Sequence, residues 1–243
     1  MLKKLLFVLC ALSISSLSST WADDRKSNKV LFLLSTHHYG YWVPEVMEPY
    51  DSLTKNGYEV VFASAQGAPG YPNAVTRLND ELAKAYEALL ASGDISRPMK
   101  LVDVQVSDYA AVFVPGGWGP VFDLPNHPQV QRVLSEFYVQ EKIVSAVCHG
   151  PAAFIGVKLP NGNPLIAGHE VTGKSNAEEG KWALKRFPYL IEDTFKKQGA
   201  VYSAAKPQKP YVVHDGFLLT GQNPASAKPL GDKLVEILDK RAS

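Results

Sequence analysis

The sequence predicts an α/β fold in which an open, mostly parallel β-sheet is sandwiched by helices. Continuous apolar runs, such as Lys29 to Ser35, are typical of strands buried on both faces of a parallel sheet. These runs alternate with segments of helical period, the order that builds a parallel sheet with helical crossovers. The 243 residues, 46% of them hydrophobic, suffice for one large core.

The first half of the chain follows this alternation. After the opening strand a helix is predicted from Pro44 to Asn56, ended by Gly57. Pro49 inside that helix predicts a kink or a later start, because proline removes a backbone donor. Further predicted elements are a strand at 58–63, a Gly/Pro-rich loop at 64–77, a helix at 79–90 capped by Asn79, and a strand at 109–115.

The second half alternates in the same way. A strand from Ile143 to Val147 runs directly into Cys148, and a helix is expected to begin at Ala152. His214-Asp215-Gly216 between two apolar runs is typical of a hairpin turn. The other predicted elements are a helix at 128–140, a strand at 169–172, helices at 176–187 and 191–198, hairpin strands at 211–213 and 217–220, and a closing helix at 225–240.

The amino terminus predicts export. Lys3 and Lys4 precede an apolar run over 5–12 that is too short to span a bilayer, and small residues follow. We therefore predict a signal peptide at 1–22 and a single domain at 23–243, placed in the periplasm or secreted. A membrane-anchoring helix is the alternative interpretation of this segment.

Charge and cysteine content narrow the function. Lys and Arg number 25 against 24 Asp and Glu, which argues against a broad nucleic-acid-binding face. Of the two cysteines, Cys10 leaves with the predicted signal, so the mature chain keeps only Cys148 and has no intrachain disulfide to form. A lone thiol in an oxidising compartment either has a functional role or, as the alternative, is an inert cysteine of the core.

The segment around Cys148 favours a functional thiol over an inert core cysteine. A strand, an abrupt turn and a helix start follow one another, with Ala146 two residues before the cysteine and Gly150 two residues after it. This is the layout of a nucleophile elbow, with cysteine in place of serine. A helix N-terminus favours thiolate, so the sequence predicts a lowered pKa for Cys148.

Candidate partners of the thiol lie at the same edge of the sheet. The backbone N–H groups of Gly117 and His149 are candidate oxyanion donors, although Gly116 to Gly119 could also be a plain turn. His149 is a candidate acid or base. The histidines show no metal-ligand spacing, so no metal site and no cofactor are predicted. Spacing does not choose the acid that orients His149 among Glu170, Glu178, Glu179, Glu192 and Asp215.

Five stretches resemble a known family: GYWVPEVMEPY at 40–50, VFVPGGWGPVFDLP at 112–125, AVCHGPAAF at 146–154, VTGKSNAEE at 171–179 and DGFLLTGQNPASA at 215–227. The chain resembles the ThiJ/PfpI superfamily, also called class I glutamine amidotransferase-like. Within it, the chain is most similar to the heat-shock glyoxalase III/chaperone branch. One departure is Trp118, where members of this branch commonly carry histidine.

The resemblance implies a flavodoxin-like sheet and a set of site residues. It implies Cys148 as the nucleophile, His149 as its neighbour, and Glu179 as the carboxylate that orients His149. Glu45 stands where the family carries a glutamate beside the thiol, usually protonated and hydrogen-bonded to the thiolate.

The resemblance also implies an activity. It is the cofactor-independent conversion of methylglyoxal or related 2-oxoaldehydes to 2-hydroxy acids through a hemithioacetal on Cys148, a glyoxalase III-type lyase reaction. A stress-related holding chaperone, a protein deglycase, and a cysteine peptidase or amidase are the alternatives. The expected partner is a small aldehyde, with no nucleic acid and no membrane after signal removal; a homodimer is left open.

Overall fold

The computed structural model describes residues 27–242. The predicted signal peptide at 1–22 lies outside the described residues, so it remains a prediction. No helix within 27–242 is long and apolar enough to cross a membrane.

Most of the strands of the described chain form one central sheet. In chain order the strands are β1 (Lys29–Leu34), β2 (Tyr41–Trp42), β3 (Glu59–Ser64), β4 (Pro72–Asn73), β5 (Met99–Lys100), β6 (Ala111–Val114), β7 (Ile143–Val147), β8 (Glu170–Val171), β9 (Val201–Tyr202), β10 (Val212–Asp215) and β11 (Leu218–Gly221). The central sheet has seven of them in the order β10-β11-β7-β6-β1-β3-β5. Its pairs are parallel except for the β10–β11 hairpin. The predicted fold class, an open and mostly parallel sheet, is confirmed.

Helices cover both faces of this sheet. They are α1 (Val43–Lys55), α2 (Asp80–Ser92), α3 (Pro120–Asp123), α4 (Pro128–Val139), α5 (Lys181–Arg186), α6 (Ile191–Lys197) and α7 (Ala227–Ala242). Strand β1 shows the two-sided burial, because Leu31 packs in the cluster that contains Val133 of α4, whereas Phe32 packs in the cluster that contains Val46 of α1. Side chains alternate along a strand, so an apolar run fills both layers.

Of the two forms expected for helix α1 at Pro49, the later start is wrong and the kink remains a prediction. The helix continues through this residue instead of starting later. Helix α7 packs there, and a Cβ added to Gly231 would lie 2.7 Å from the Cα of Pro49. The close approach of the two helices therefore supports α1 where its sequence is weakest. The predicted cap of α2 is confirmed, since the Asn79 side chain accepts a hydrogen bond from the Leu82 N–H at 2.9 Å.

Two predicted helices are wrong in form. The segment after Cys148 is a five-residue 3₁₀ helix, Gly150–Phe154, and not the start of an α-helix. It ends at Phe154, two residues before Gly156, whose φ of +83° is left-handed. The predicted helix at 176–187 is a 3₁₀ turn, Asn176–Glu178, then a break at Gly180 and then α5. Both corrections matter because these segments carry the candidate site.

Candidate active site

Cys148 lies on a strained turn at the carboxyl end of β7. Its φ is +59°, a left-handed conformation that residues with a Cβ rarely adopt. The Cys148 N–H donates to the Gly221 carbonyl at 2.9 Å, and the Cys148 carbonyl accepts from the Lys174 N–H at 2.8 Å. A Cβ on Gly150 would lie 2.1 Å from the Val114 carbonyl oxygen. The predicted elbow is present, and its glycine is required by this close approach.

His149 connects the thiol to a carboxylate. Its Nδ1 lies 3.5 Å from Cys148 Sγ, and its Nε2 lies 3.0 Å from Glu179 Oε1. The side chains of His149 and Glu179 are only 4% and 2% exposed. Because a carboxylate only accepts hydrogen bonds, it favours the tautomer with the proton on Nε2. Nδ1 then faces the thiol with its lone pair.

Glu178 has a different set of partners. Its carboxylate accepts from the Gln208 N–H and the Gln222 side chain at 2.8 Å each, from Asn223 at 3.0 Å and from Ser175 at 3.1 Å. Burial works to raise the pKa of Glu178, but the hydrogen bonds from Gln208, Gln222 and Asn223 and the charge of Lys174 outweigh it and lower that pKa. Glu178 therefore fastens the segment at 208–223 to the site, and it does not contact His149.

The other candidate acids lie elsewhere. Asp215 Oδ2 lies 3.0 Å from His169 Nδ1, and Glu192 Oε1 pairs with Lys196 on α6. Glu170 is exposed on β8. Of the acids that spacing left open, Glu179 is the one that meets His149, as the resemblance implied. Its catalytic role remains a prediction.

Glu45 is fully buried against the elbow. It lies in the first turn of α1, and neither carboxyl oxygen has a hydrogen-bond partner of regular geometry among residues 27–242. A Cβ on Gly116 would lie 2.5 Å from Glu45 Oε2 and 2.8 Å from Cys148 Cβ, which places the carboxyl beside the cysteine. Burial raises the pKa of Glu45 to about 8, although contacts with the thiol and with Gly116 oppose the rise. Glu45 is therefore largely protonated at neutral pH.

The predicted lowering of the Cys148 pKa is wrong. Burial raises the pKa of this thiol well above its usual range, and the charged form of Glu45 adds to the rise. The expectation relied on an α-helix N-terminus, whereas a single short 3₁₀ helix follows the cysteine. Thiol and carboxyl are adjacent, so they titrate as a coupled pair in which the second proton is harder to remove than the first.

Lys174 is a site residue that sequence reasoning missed. It lines the same cavity as Cys148, and its side chain is only 16% exposed. Its Nζ lies 3.9 Å from Glu178 Oε1. Its positive charge acts to lower the pKa of both Glu45 and Cys148. No spacing or repeat in the sequence distinguishes this lysine from the other lysines of the chain.

The two candidate oxyanion donors are free. Gly117 has a φ of +100°, and a Cβ there would lie 2.7 Å from the Gly40 carbonyl oxygen. Within the described chain, neither the Gly117 N–H nor the His149 N–H donates a hydrogen bond. Both residues line the cavity above the thiol. Their use as an oxyanion hole remains a prediction.

A cavity of about 620 Å³ contains the candidate residues. Cys148, His149, Glu179 and Glu45 all line it. The described residues contain no group of three or more Cys, His, Asp or Glu side chains placed to hold a metal ion. The aromatic side chains that line the cavity include Tyr39, Trp42, Trp118 and Trp182.

The fold and the site define an α/β protein with a buried cysteine on an elbow at the carboxyl edge of a parallel sheet. The profile of the DJ-1/PfpI family matches residues 28–237. The chain belongs to the DJ-1/PfpI family, and the resemblance found in the sequence is confirmed.

Relatives and solved structures agree with this family. The chain is 33% identical over 213 residues to the glutathione-independent glyoxalase HSP31 of Saccharomyces cerevisiae, covering 82% of this chain and 89% of the relative. The crystal structure of glyoxalase III from Candida albicans matches with a TM-score of 0.76 at 29% identity, over 86% of this chain and 96% of that one. The Rapid Encystment Protein 24 kDa of Francisella tularensis matches with a TM-score of 0.80 at 28% identity, over 86% and 98% of the two chains.

Proposed function

We propose that this protein is a glutathione-independent glyoxalase-type lyase, which converts methylglyoxal and related 2-oxoaldehydes to 2-hydroxy acids without a cofactor. The observation that carries the proposal is the contact chain Cys148–His149–Glu179, with Glu45 buried beside the thiol. The names of the yeast and Candida relatives support the same activity.

The first step is addition of sulfur to the aldehyde. His149 Nδ1, 3.5 Å from Sγ, takes the thiol proton as the Cys148 sulfur bonds to the aldehyde carbon. The aldehyde oxygen gains negative charge, which the free N–H groups of Gly117 and His149 would stabilise before it is protonated. The product is a hemithioacetal on Cys148.

The second step moves hydrogen between neighbouring carbons. A base removes the proton from the hemithioacetal carbon, the electron pair forms an enediol, and the adjacent carbon is then protonated. This internal oxidation and reduction gives a thioester on Cys148, and water hydrolyses it to the 2-hydroxy acid and the free thiol. No external oxidant or reductant is needed. Glu45 and His149 are the available proton carriers, and both line the cavity.

The Cys148→Ala variant tests this proposal. Purified protein is incubated with methylglyoxal in the absence of any low-molecular-weight thiol, and lactate is measured. We expect lactate formation by the wild type and its loss in Cys148→Ala, with unchanged circular dichroism. Cys148→Ser, which keeps the side-chain size, serves as a second inactive variant with an intact fold. Substantial lactate formation by Cys148→Ala would exclude the cysteine mechanism.

The same variant separates this proposal from the holding chaperone, the alternative implied by the resemblance. A chaperone of this kind binds unfolded chains through apolar surface and needs no thiol. Suppression of the thermal aggregation of a client protein by Cys148→Ala, without lactate formation by the wild type, would favour the chaperone.

We also propose that the protein is exported, on the composition of residues 1–22. Mass spectrometry of the protein from the cell envelope or medium tests this proposal. A chain that begins near residue 23 is the expected result. An intact first residue in protein recovered only from the cytoplasm would overturn it.

A further inference from the structure

One wall of the cavity is a stack of indole rings. The rings of Trp118 and Trp182 lie 4.2 Å apart between centroids and are inclined by 10°. The Arg186 guanidinium lies 5.3 Å from the Trp182 ring, and Tyr39 meets that ring edge-on at 5.0 Å. Trp182 is therefore held on several sides.

Trp118 ends this stack, because no second ring of the described residues stacks on it. Among residues 27–242 its other aromatic neighbour is Phe187, edge-on at 6.5 Å, and Trp118 is 42% exposed although it lines the cavity. A large aromatic surface that faces a cavity is costly to leave in water and gains free energy when a planar apolar group covers it. The exposed part of Trp118 therefore has the chemistry of a ring-binding surface.

The size of the cavity also favours a ligand that carries a ring. Its volume of about 620 Å³ falls within the range of about 300–1,000 Å³ that is typical of sites for drug-sized ligands. Methylglyoxal carries only a methyl group beside its two carbonyls, so it would leave most of this volume to water. Cys148 and the Trp118–Trp182 wall line the same cavity, so a substrate bonded to the thiol can extend a ring towards the indoles.

We propose that the site takes 2-oxoaldehydes with a planar aromatic substituent in preference to methylglyoxal, and that the Trp118–Trp182 wall receives the ring. The proposal rests on the glyoxalase-type function and names its substrate class. Trp118 is then a specificity-determining residue, since offset-stacked rings attract each other beyond the area that they bury.

Steady-state kinetics with phenylglyoxal and methylglyoxal test the proposal in the wild type, Trp118→Ala, Trp118→Phe and Leu184→Ala. Leu184 is the matched control, because it is 54% exposed on the same helix as Trp182 and lies outside the cavity lining. We expect a lower KM for phenylglyoxal than for methylglyoxal in the wild type. The ratio of kcat/KM for phenylglyoxal to kcat/KM for methylglyoxal should fall about three- to tenfold in Trp118→Ala.

The change should appear in KM, and Trp118→Phe should restore most of the ratio. Leu184→Ala should keep the wild-type ratio. Comparing ratios between variants removes the different intrinsic reactivities of the two aldehydes. Equal ratios in the wild type and Trp118→Ala would overturn the proposal, and so would a lower KM for methylglyoxal in the wild type.

A binding measurement keeps this result distinct from failure of the proposed function. Mandelate and lactate, the two expected products, are titrated into Cys148→Ser while tryptophan fluorescence is recorded. We expect tighter binding of mandelate, with a loss of this preference on adding Trp118→Ala. If neither aldehyde is turned over, the glyoxalase-type function fails, and equal binding of the two acids rejects the ring-binding wall on its own.

Discussion

Glu179 Oε1 lies 3.0 Å from His149 Nε2, whereas its chain neighbour Glu178 directs its carboxylate to the segment at 208–223. The separation arises because Glu179 follows a short 3₁₀ turn in an extended conformation, with φ of −73° and ψ of 126°. Two adjacent acids thus have different tasks. One contacts an imidazole, and the other holds a loop.

The first prediction compares Glu179→Gln with Glu178→Gln. In Glu179→Gln the amide no longer supports an imidazolium, so we expect kcat for methylglyoxal to fall by about 100-fold or more. In Glu178→Gln an amide NH₂, which cannot accept hydrogen bonds, replaces a carboxylate oxygen that faces several donors. We therefore expect a loss of about 1–3 kcal/mol in the free energy of unfolding. Initial rates and urea denaturation of both variants give the answer. Equal turnover in the wild type and Glu179→Gln would mean that another group holds His149.

The second prediction concerns the thiol and Glu45. The alkylation rate of Cys148 with iodoacetamide should have its midpoint above the value of about 8.5 for free cysteine, since burial and the Glu45 charge raise the pKa of the thiol. Glu45→Gln removes that charge, so the midpoint should move to lower pH. Cys148→Ala is the control for alkylation elsewhere. A midpoint below that of free cysteine in the wild type would contradict the effect of burial on this thiol.

The third prediction concerns Lys174→Met, which removes a positive charge from the surroundings of the thiol. The lysine charge lowers the pKa of both Cys148 and Glu45, and methionine keeps much of its apolar length. We expect the alkylation midpoint of Cys148 to rise and the alkaline limb of kcat/KM to shift to higher pH. Lys185→Met, at the exposed end of α5 and outside the cavity lining, is the matched control. The same midpoint in both variants would show that Lys174 does not act on the thiol.

The fourth prediction links Glu45 to stability. Its pKa rises from an ordinary value of 4.5 to about 8 on folding, so between these pH values the folded chain binds more protons than the unfolded chain. The free energy of unfolding should therefore fall as pH rises through this window, by at most about 1.4 kcal/mol per pH unit from this group. Urea denaturation between about pH 5 and pH 8 should show a weaker decline in Glu45→Gln than in the wild type. Parallel pH profiles would mean that Glu45 is not buried as a neutral acid.

The strands and the elbow were predictable because their signals are local. The apolar runs of β1, β6 and β7 can be recognised in the sequence as buried strands, and Cys148 follows β7 directly. The two-residue strands such as β2 and β5 were missed because they exist only through pairing with distant partners.

The composition of the site was less predictable. Glu179 lies 30 positions from His149, and the sequence alone offered five acids without a reason to choose among them. Family resemblance selected the acid that the fold brings to the imidazole. Lys174 and Trp182 carried no signal, since a single lysine or tryptophan on a short segment gives no periodicity and no spacing. Their importance comes from the cavity, which is a property of the folded chain.

The left-handed backbone at Cys148 has a consequence for how this protein can be stabilised. A residue with a Cβ in that region costs about 1–3 kcal/mol, and glycine there would relieve most of the cost. A search for thermostable variants that ignored activity would therefore include glycine at position 148, which removes the thiol of the candidate site. The position illustrates the trade-off between stability and activity, because the turn that presents the sulfur carries backbone strain.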